Sequence, residues 1–415
     1  MLRRAPRLIR AVARLPAGDP APADGALPAE ALAGVGTRPF GFYVHVPFCA
    51  SRCGYCDFNT YVPGERGAEQ AGGYVDAVVA EIDLAAGVLG AAVPRVDTVF
   101  FGGGTPSLLS AAELIRILRR IDERFGLAEG AEVTTEANPE SVSPAKLSAL
   151  REAGFTRLSL GMQSAVPRVL ATLERAHSPG RPQAAVAEAR AAGFEQVSLD
   201  LIYGTPGETA EDWRASLDAA LSASPDHLST YSLIVEPGTR MAAQVRRGEL
   251  EVPGEDVIVD RFQTAERVLA DAGLAWYETC SWATDEAAWC RHNLGYWGGG
   301  DWWGAGPGAH SHVGGVRWWN VLHPRAWTER LAAGTSPAAA REIPGDDEAR
   351  LERVMLGLRL RSGVPLGALT PVGRAAAERH VADGLLEPTD HASGRAVLSL
   401  RGRLLADPVT IDLAA

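Results

Sequence analysis

Cysteine is scarce in this chain, five residues in 415, far too few for the disulfide framework of a secreted scaffold. Basic charge is not in excess either. Lys and Arg total 40 against 51 Asp and Glu, a formal net charge of −11, which argues against a nucleic-acid binder, since such proteins carry a basic face. No stretch of about 18 apolar residues occurs, so no membrane-spanning helix is expected; peripheral contact with a membrane stays open. Apolar residues themselves are plentiful at 46%, enough for a large core. The length suggests one large α/β domain with a smaller companion. Scarcity also makes clustering informative. Three of the five cysteines, Cys49, Cys53 and Cys56, crowd together, which points to a metal or cluster site in a reducing, cytoplasmic compartment.

The first residues are poor in acids and rich in Arg (Arg3, Arg4, Arg7, Arg10, Arg14), as in targeting segments. Serine is absent there, however, and the Ala/Pro/Gly-rich run through Gly36 has no secretory hydrophobic segment. Residues 1–37 are expected to form a disordered extension, because their composition buries too little apolar surface to fold alone.

Beyond them, short β-rich runs alternate with helical patterns. The runs are Phe42–Val46, Val96–Phe101, Glu132–Glu136, Arg157–Leu160, Gln196–Ile202 and His227–Ile234. Between them, Ala112–Phe125 sets Leu114, Ile115, Leu118 and Ile121 on one face, Ser143-Pro144 reads as a helix start closed by Gly154, and Arg181–Ala192 and Asp256–Ala272 each run into a glycine. Strand-helix units of this kind imply a parallel sheet with helices outside. Six of them suggest a partial (β/α)6 barrel, with ligands at the C-terminal ends of the strands. The expected division is the barrel over 38–280, a Gly/Trp-rich segment over 281–319 and a small C-terminal domain over 320–415.

The cysteines lie in Tyr43-Val-His-Val-Pro-Phe-Cys49-Ala-Ser-Arg-Cys53-Gly-Tyr-Cys56, a C-x3-C-x2-C spacing. A loop of this spacing can wrap three thiolates around a [4Fe–4S] cluster, which usually takes about four cysteines; three leave one iron open. Closed structural zinc is the alternative, and would need a fourth ligand from His45, Cys280 or Cys290. After the second strand comes Phe101-Gly102-Gly103-Gly104-Thr105-Pro106, where glycines let backbone approach a ligand.

This triplet resembles the hallmark of the radical S-adenosylmethionine (SAM) superfamily. Together, the segment before Cys49 and the Gly102–Pro106 loop look like the oxygen-independent coproporphyrinogen III oxidases and their relatives, from about residue 40 to the end. The resemblance implies a [4Fe–4S] cluster on Cys49, Cys53 and Cys56. It implies SAM bound by Gly102, Gly103, Gly104 and Thr105, with Glu136 on the ribose and Arg175 on the carboxylate. Gln163 and Asp200 would complete the pocket, and Tyr43 and Tyr55 would contact SAM near the cluster. His177 and His227 read as structural.

The chain departs from the true oxidases at one telling position. Those carry a further cysteine two residues past the triplet, where this sequence has Phe58 in Cys56-Asp57-Phe58. That form, and the later His292-Asn293-Leu-Gly-Tyr296-Trp297, resemble the heme chaperone branch, whose members would bind heme and pass it to heme-accepting proteins. On this reading His292 ligates heme, in a glycine- and tryptophan-rich loop that clasps it, with His310, His312 and His45 as competing ligands. Decarboxylation of a porphyrinogen is the alternative function and a radical enzyme on another small substrate a third; coproporphyrinogen oxidase activity is not expected.

Overall fold

The computed structural model describes residues 18–64, 71–175 and 177–415. Six parallel strands follow one another in space as in sequence: β1 (Phe40–Val46), β2 (Val96–Gly103), β3 (Leu127–Ala137), β4 (Arg157–Gln163), β5 (Gln196–Tyr203) and β6 (His227–Ser232). This is the expected partial barrel. Two short strands, β7 (Ala275–Glu278) and β8 (Ser281–Ala283), extend it beyond β6. Four more, β9 (Asp301–Ala305), β10 (His310–Val313), β11 (Val316–Asn320) and β12 (Ala338–Glu342), extend it beyond β1. The result is a twelve-stranded sheet.

Alternation along the strands explains the layering. Phe42, Val44, Val99, Phe101, Leu158, Leu160, Val197 and Leu199 are all buried in the main core, each worth roughly 1.5–3 kcal/mol of transfer free energy. The helix Ala111–Phe125 covers this face with Leu114, Ile117, Leu118 and Ile121. It starts on a capping box in which Ser110 and Glu113 exchange hydrogen bonds. The opposite parity is polar: Thr98, Glu132, Thr134, Glu136, Arg157, Ser159, Asp200 and His227 lie on the concave side, the barrel lumen.

Three expectations need correction. Residues 18–37 are folded: the Asp19 backbone bridges to Arg341, Ser336 N–H donates to the Ala23 carbonyl, and Ala31 is buried in the main core. The extension gains this from an existing sheet edge, which composition alone could not reveal; the arginine-rich start through Arg14 lies outside the described residues. The stretch 289–319 is not a loop but the helix Arg291–Trp297 followed by β9–β11. And the small C-terminal domain begins later than 320, because β11 and β12 belong to the large sheet; its separate core runs from Val354 to Leu413.

Candidate functional site

The cysteine loop leaves β1 at Val46 and is tied down at several points. Cys49 N–H donates to the Tyr61 carbonyl (3.0 Å), Cys56 N–H to the Cys53 carbonyl (3.2 Å), and Gly54 N–H to the Leu173 carbonyl (3.1 Å). Its far side meets the glycine loop, where Gly104 N–H reaches the Val46 carbonyl and Thr105 N–H the Phe48 carbonyl, each at 2.8 Å. The Thr105 hydroxyl lies 3.7 Å from Cys49 Sγ and Arg175 Nη1 3.8 Å from Cys53 Sγ. All three thiols are half-buried and free.

A closed zinc centre does not fit this arrangement. The would-be fourth ligands are engaged elsewhere. His45 Nδ1 pairs with Tyr43 OH and Nε2 with the Asn59 carbonyl, both at 3.0 Å. The Cys290 thiol is buried against Glu132 Oε1, and Cys280 sits beside β6, where burial pushes its thiol well up. Three thiols at a lumen mouth with no fourth ligand at hand suit a cluster with one unligated iron.

Buried polar groups surround that mouth. Arg175 donates to the Gly161 carbonyl (3.3 Å) through Nη2, while its buried Nε has no partner. Glu136 accepts from Gly103 N–H at 3.2 Å. Burial, then the charge of Asp200, push its carboxyl up to about 8. Asp200 accepts from Ser159 Oγ at 3.0 Å and is likewise raised by burial. Gln163 ends β4 at a register shift with a left-handed φ of 63°, the kind of strained backbone found at ligand sites. Tyr43 stacks on Phe100 inside the lumen, while Tyr55 packs beside Val169, Leu173, Ile202 and Met241. A cation, acceptors and an open thiol loop thus converge, a set able to hold a zwitterionic amino acid moiety with attached hydroxyls.

The glycines have a second reason to be there. A Cβ on Gly103, whose φ is +106°, would come within 2.5 Å of the His45 ring, and one on Gly104 within 2.6 Å of the Phe48 carbonyl. The loop is glycine first because β1 packs on it.

His292 is placed differently from expectation. It lies at the opposite end of the lumen, on the helix Arg291–Trp297, only 3% exposed. Nδ1 is 2.8 Å from Thr98 Oγ1 and Nε2 2.8 Å from Tyr296 OH, and its ring stacks on Phe100. Burial pushes its pKa down to about 3. With both nitrogens occupied, the imidazole offers no lone pair to a heme iron. This helix plugs the barrel floor. Glu132, which the sequence reading passed over, accepts from Arg291 N–H (3.0 Å) and His292 N–H (3.1 Å). Glu132 shares the parity of Glu136 on β3, which is the signal that could have placed it in the lumen. His227 is buried and bonded to Tyr277 OH at 2.8 Å.

Comparison with known proteins agrees with this architecture. The family model of the radical SAM superfamily matches residues 43–220. A solved structure of Escherichia coli coproporphyrinogen III oxidase (HemN), described as a radical SAM enzyme, superposes with a TM-score of 0.79 over 93% of this chain and 92% of that one, at 25% identity. The heme chaperone HemW of Mycobacterium tuberculosis is 53% identical over 92% of this chain and 96% of its own length. That of Synechocystis is 36% identical over 81% and 82%. The barrel and its cysteine loop are thus those of a radical SAM protein. Within that superfamily the chain belongs to the HemW family.

Proposed function

We propose that this chain is a cytoplasmic heme chaperone, binding heme and passing it to heme-dependent proteins, with a [4Fe–4S] cluster and SAM as cofactors. The observation that carries the reading is the end of the cysteine loop. Where an oxidase of this fold would have a fourth thiol, Phe58 stands 61% exposed beside an aromatic-lined cleft. Cys49, Cys53 and Cys56 would ligate the cluster. Its open iron, when the cluster is bound, supplies a docking point for the amino and carboxylate groups of SAM and one-electron chemistry. Arg175 would bind the carboxylate, and Glu136 would accept from the ribose hydroxyls. Gln163 and Asp200 would line the pocket, with Gly102–Thr105 forming its wall and Tyr43 and Tyr55 packing alongside.

Anaerobic reconstitution should give about four irons per chain, lost in the Ala variants of Cys49, Cys53 or Cys56 and kept in those of Cys280 and Cys290. Arg175→Ala should weaken SAM binding by about 1.5–3 kcal/mol in calorimetry. Gly103→Val is a poor probe of SAM, since it collides with His45 whether or not ligand is present. The parent should bind heme and should not decarboxylate coproporphyrinogen III. Turnover of about 1 per second or faster would move the chain to the oxidases.

A further inference from the structure

The concave side of the sheet does not end at the barrel. Where β9–β11 extend it, a cleft of about 520 Å³ opens between the sheet, the cysteine loop and the helix Asp346–Gly357 of the C-terminal domain. The volume is within the roughly 300–1,000 Å³ of small-molecule sites. Tyr43, Tyr296 and Trp302 form the sheet-side wall, Phe58 the cysteine-loop wall, and Met355 and Leu356 the C-terminal wall. Flat rings on two sides and flexible aliphatic side chains on the third suit a large planar ligand.

One imidazole on this lining is free. His310 on β10 is exposed, and among the described residues neither of its ring nitrogens has a hydrogen-bond partner. Its position is nonetheless fixed. The ring stacks on Trp319 at 5.9 Å, and its backbone carbonyl accepts from Trp302 Nε1 at 3.0 Å. The other candidates are engaged or lie off the cleft: His292 and His45 use both nitrogens, and His312, whose Nδ1 is bonded to the Gly300 carbonyl at 2.9 Å, does not line the cleft.

We infer that heme seats in this cleft with His310 on its iron. The inference rests on the heme chaperone reading and gives that reading a site. Although His310 is exposed as a whole residue, partial desolvation of its ring lowers its pKa, which favours the neutral imidazole with its lone pair available. The cleft has little charge to offer the propionates. Arg317, its cation, is already paired with Glu342 and Glu352. Heme propionates would therefore be left to solvent, and His310 with the aromatic walls would hold the heme, an arrangement that permits release. Phe58 joins this site to the cysteine loop two residues past Cys56.

Ferric heme titrated into the full chain, followed by its Soret band, tests the site. His310→Ala should weaken binding at least tenfold and shift the band, and added imidazole should restore the parent spectrum. Met355→Arg, a partly exposed position that leaves His310 in place, should weaken binding by blocking the cleft. Iron–sulfur content and SAM affinity should match the parent in both. If both variants bind heme with the parent's affinity and spectrum, heme sits elsewhere and the chaperone reading survives. If imidazole fails to restore the His310→Ala spectrum, His310 is not the iron ligand. If the parent binds no heme, the chaperone reading falls too.

Discussion

Removing the His292 ring would leave the Thr98 and Tyr296 hydroxyls buried without their partner, at a cost of about 1–3 kcal/mol. His292→Ala should therefore lower the unfolding free energy of the apoprotein by that order, with the Soret band of added heme unmoved. A spectrum that changes while denaturant stability holds would return His292 to the heme site. Glu136 makes a pH prediction. Its folded-state carboxyl is raised from 4.5 to about 8, so the folded chain favours the protonated form. That contribution is complete below about pH 4.5 and is lost as pH rises through about 8. Glu136→Gln, neutral throughout, does not lose it. Between those limits the melting temperature of the variant should gain on that of the parent as pH increases. A constant difference would show that Glu136 is ionised in the folded protein.

The six parallel strands were legible because apolar and polar residues alternate along them and several of the helices between them carry end signals, such as Ser110 with Glu113 and Ser143 before Pro144, two signals that agree. The barrel's C-terminal mouth followed from that pattern, and with it the cysteine and glycine loops. The stretch from Trp289 to Trp319 misled for a physical reason. Glycine there reads as flexibility, yet a Cβ on Gly304 would lie 2.1 Å from the His310 carbonyl and one on Gly306 2.5 Å from the His45 carbonyl. These glycines permit close strand packing, a demand that arises only from neighbours distant in sequence. The same is true of the plug helix Arg291–Trp297. It has seven residues and no side-chain cap of its own, and borrows the Glu132 carboxylate, which also answers the positive end of its dipole. Glu132→Gln would turn an amide N–H toward a backbone N–H. It should destabilise the protein by about 1–3 kcal/mol, measured by chemical denaturation; a neutral result would mean the helix end is satisfied by water.

At the scale of the molecule, residues 18–37 and the C-terminal domain both attach to the sheet extension beyond β1. Asp19 meets Arg341 on β12, and Glu352 from the C-terminal domain pairs with Arg317 on β11. Glu81, deep in the helix Ala71–Leu89, ties that extension to the barrel, accepting from Gly306 N–H, Asn320 Nδ2 and Trp327 Nε1. The pairing of β1 with β9 in particular joins Phe40 to Asp301. During synthesis β1 leaves the ribosome early, but the partner for one of its edges emerges only after most of the chain has been made. Until then that edge presents unpaired N–H and C=O groups, a template for pairing with another nascent chain. A chain stopped at Gly300 keeps every parallel strand of the barrel and still lacks this partner. It should aggregate on expression where the full chain does not. If it were instead monomeric and soluble, the edge would have to be covered by something other than β9. The first strand of the barrel thus waits for the chain's last third before both of its edges are covered.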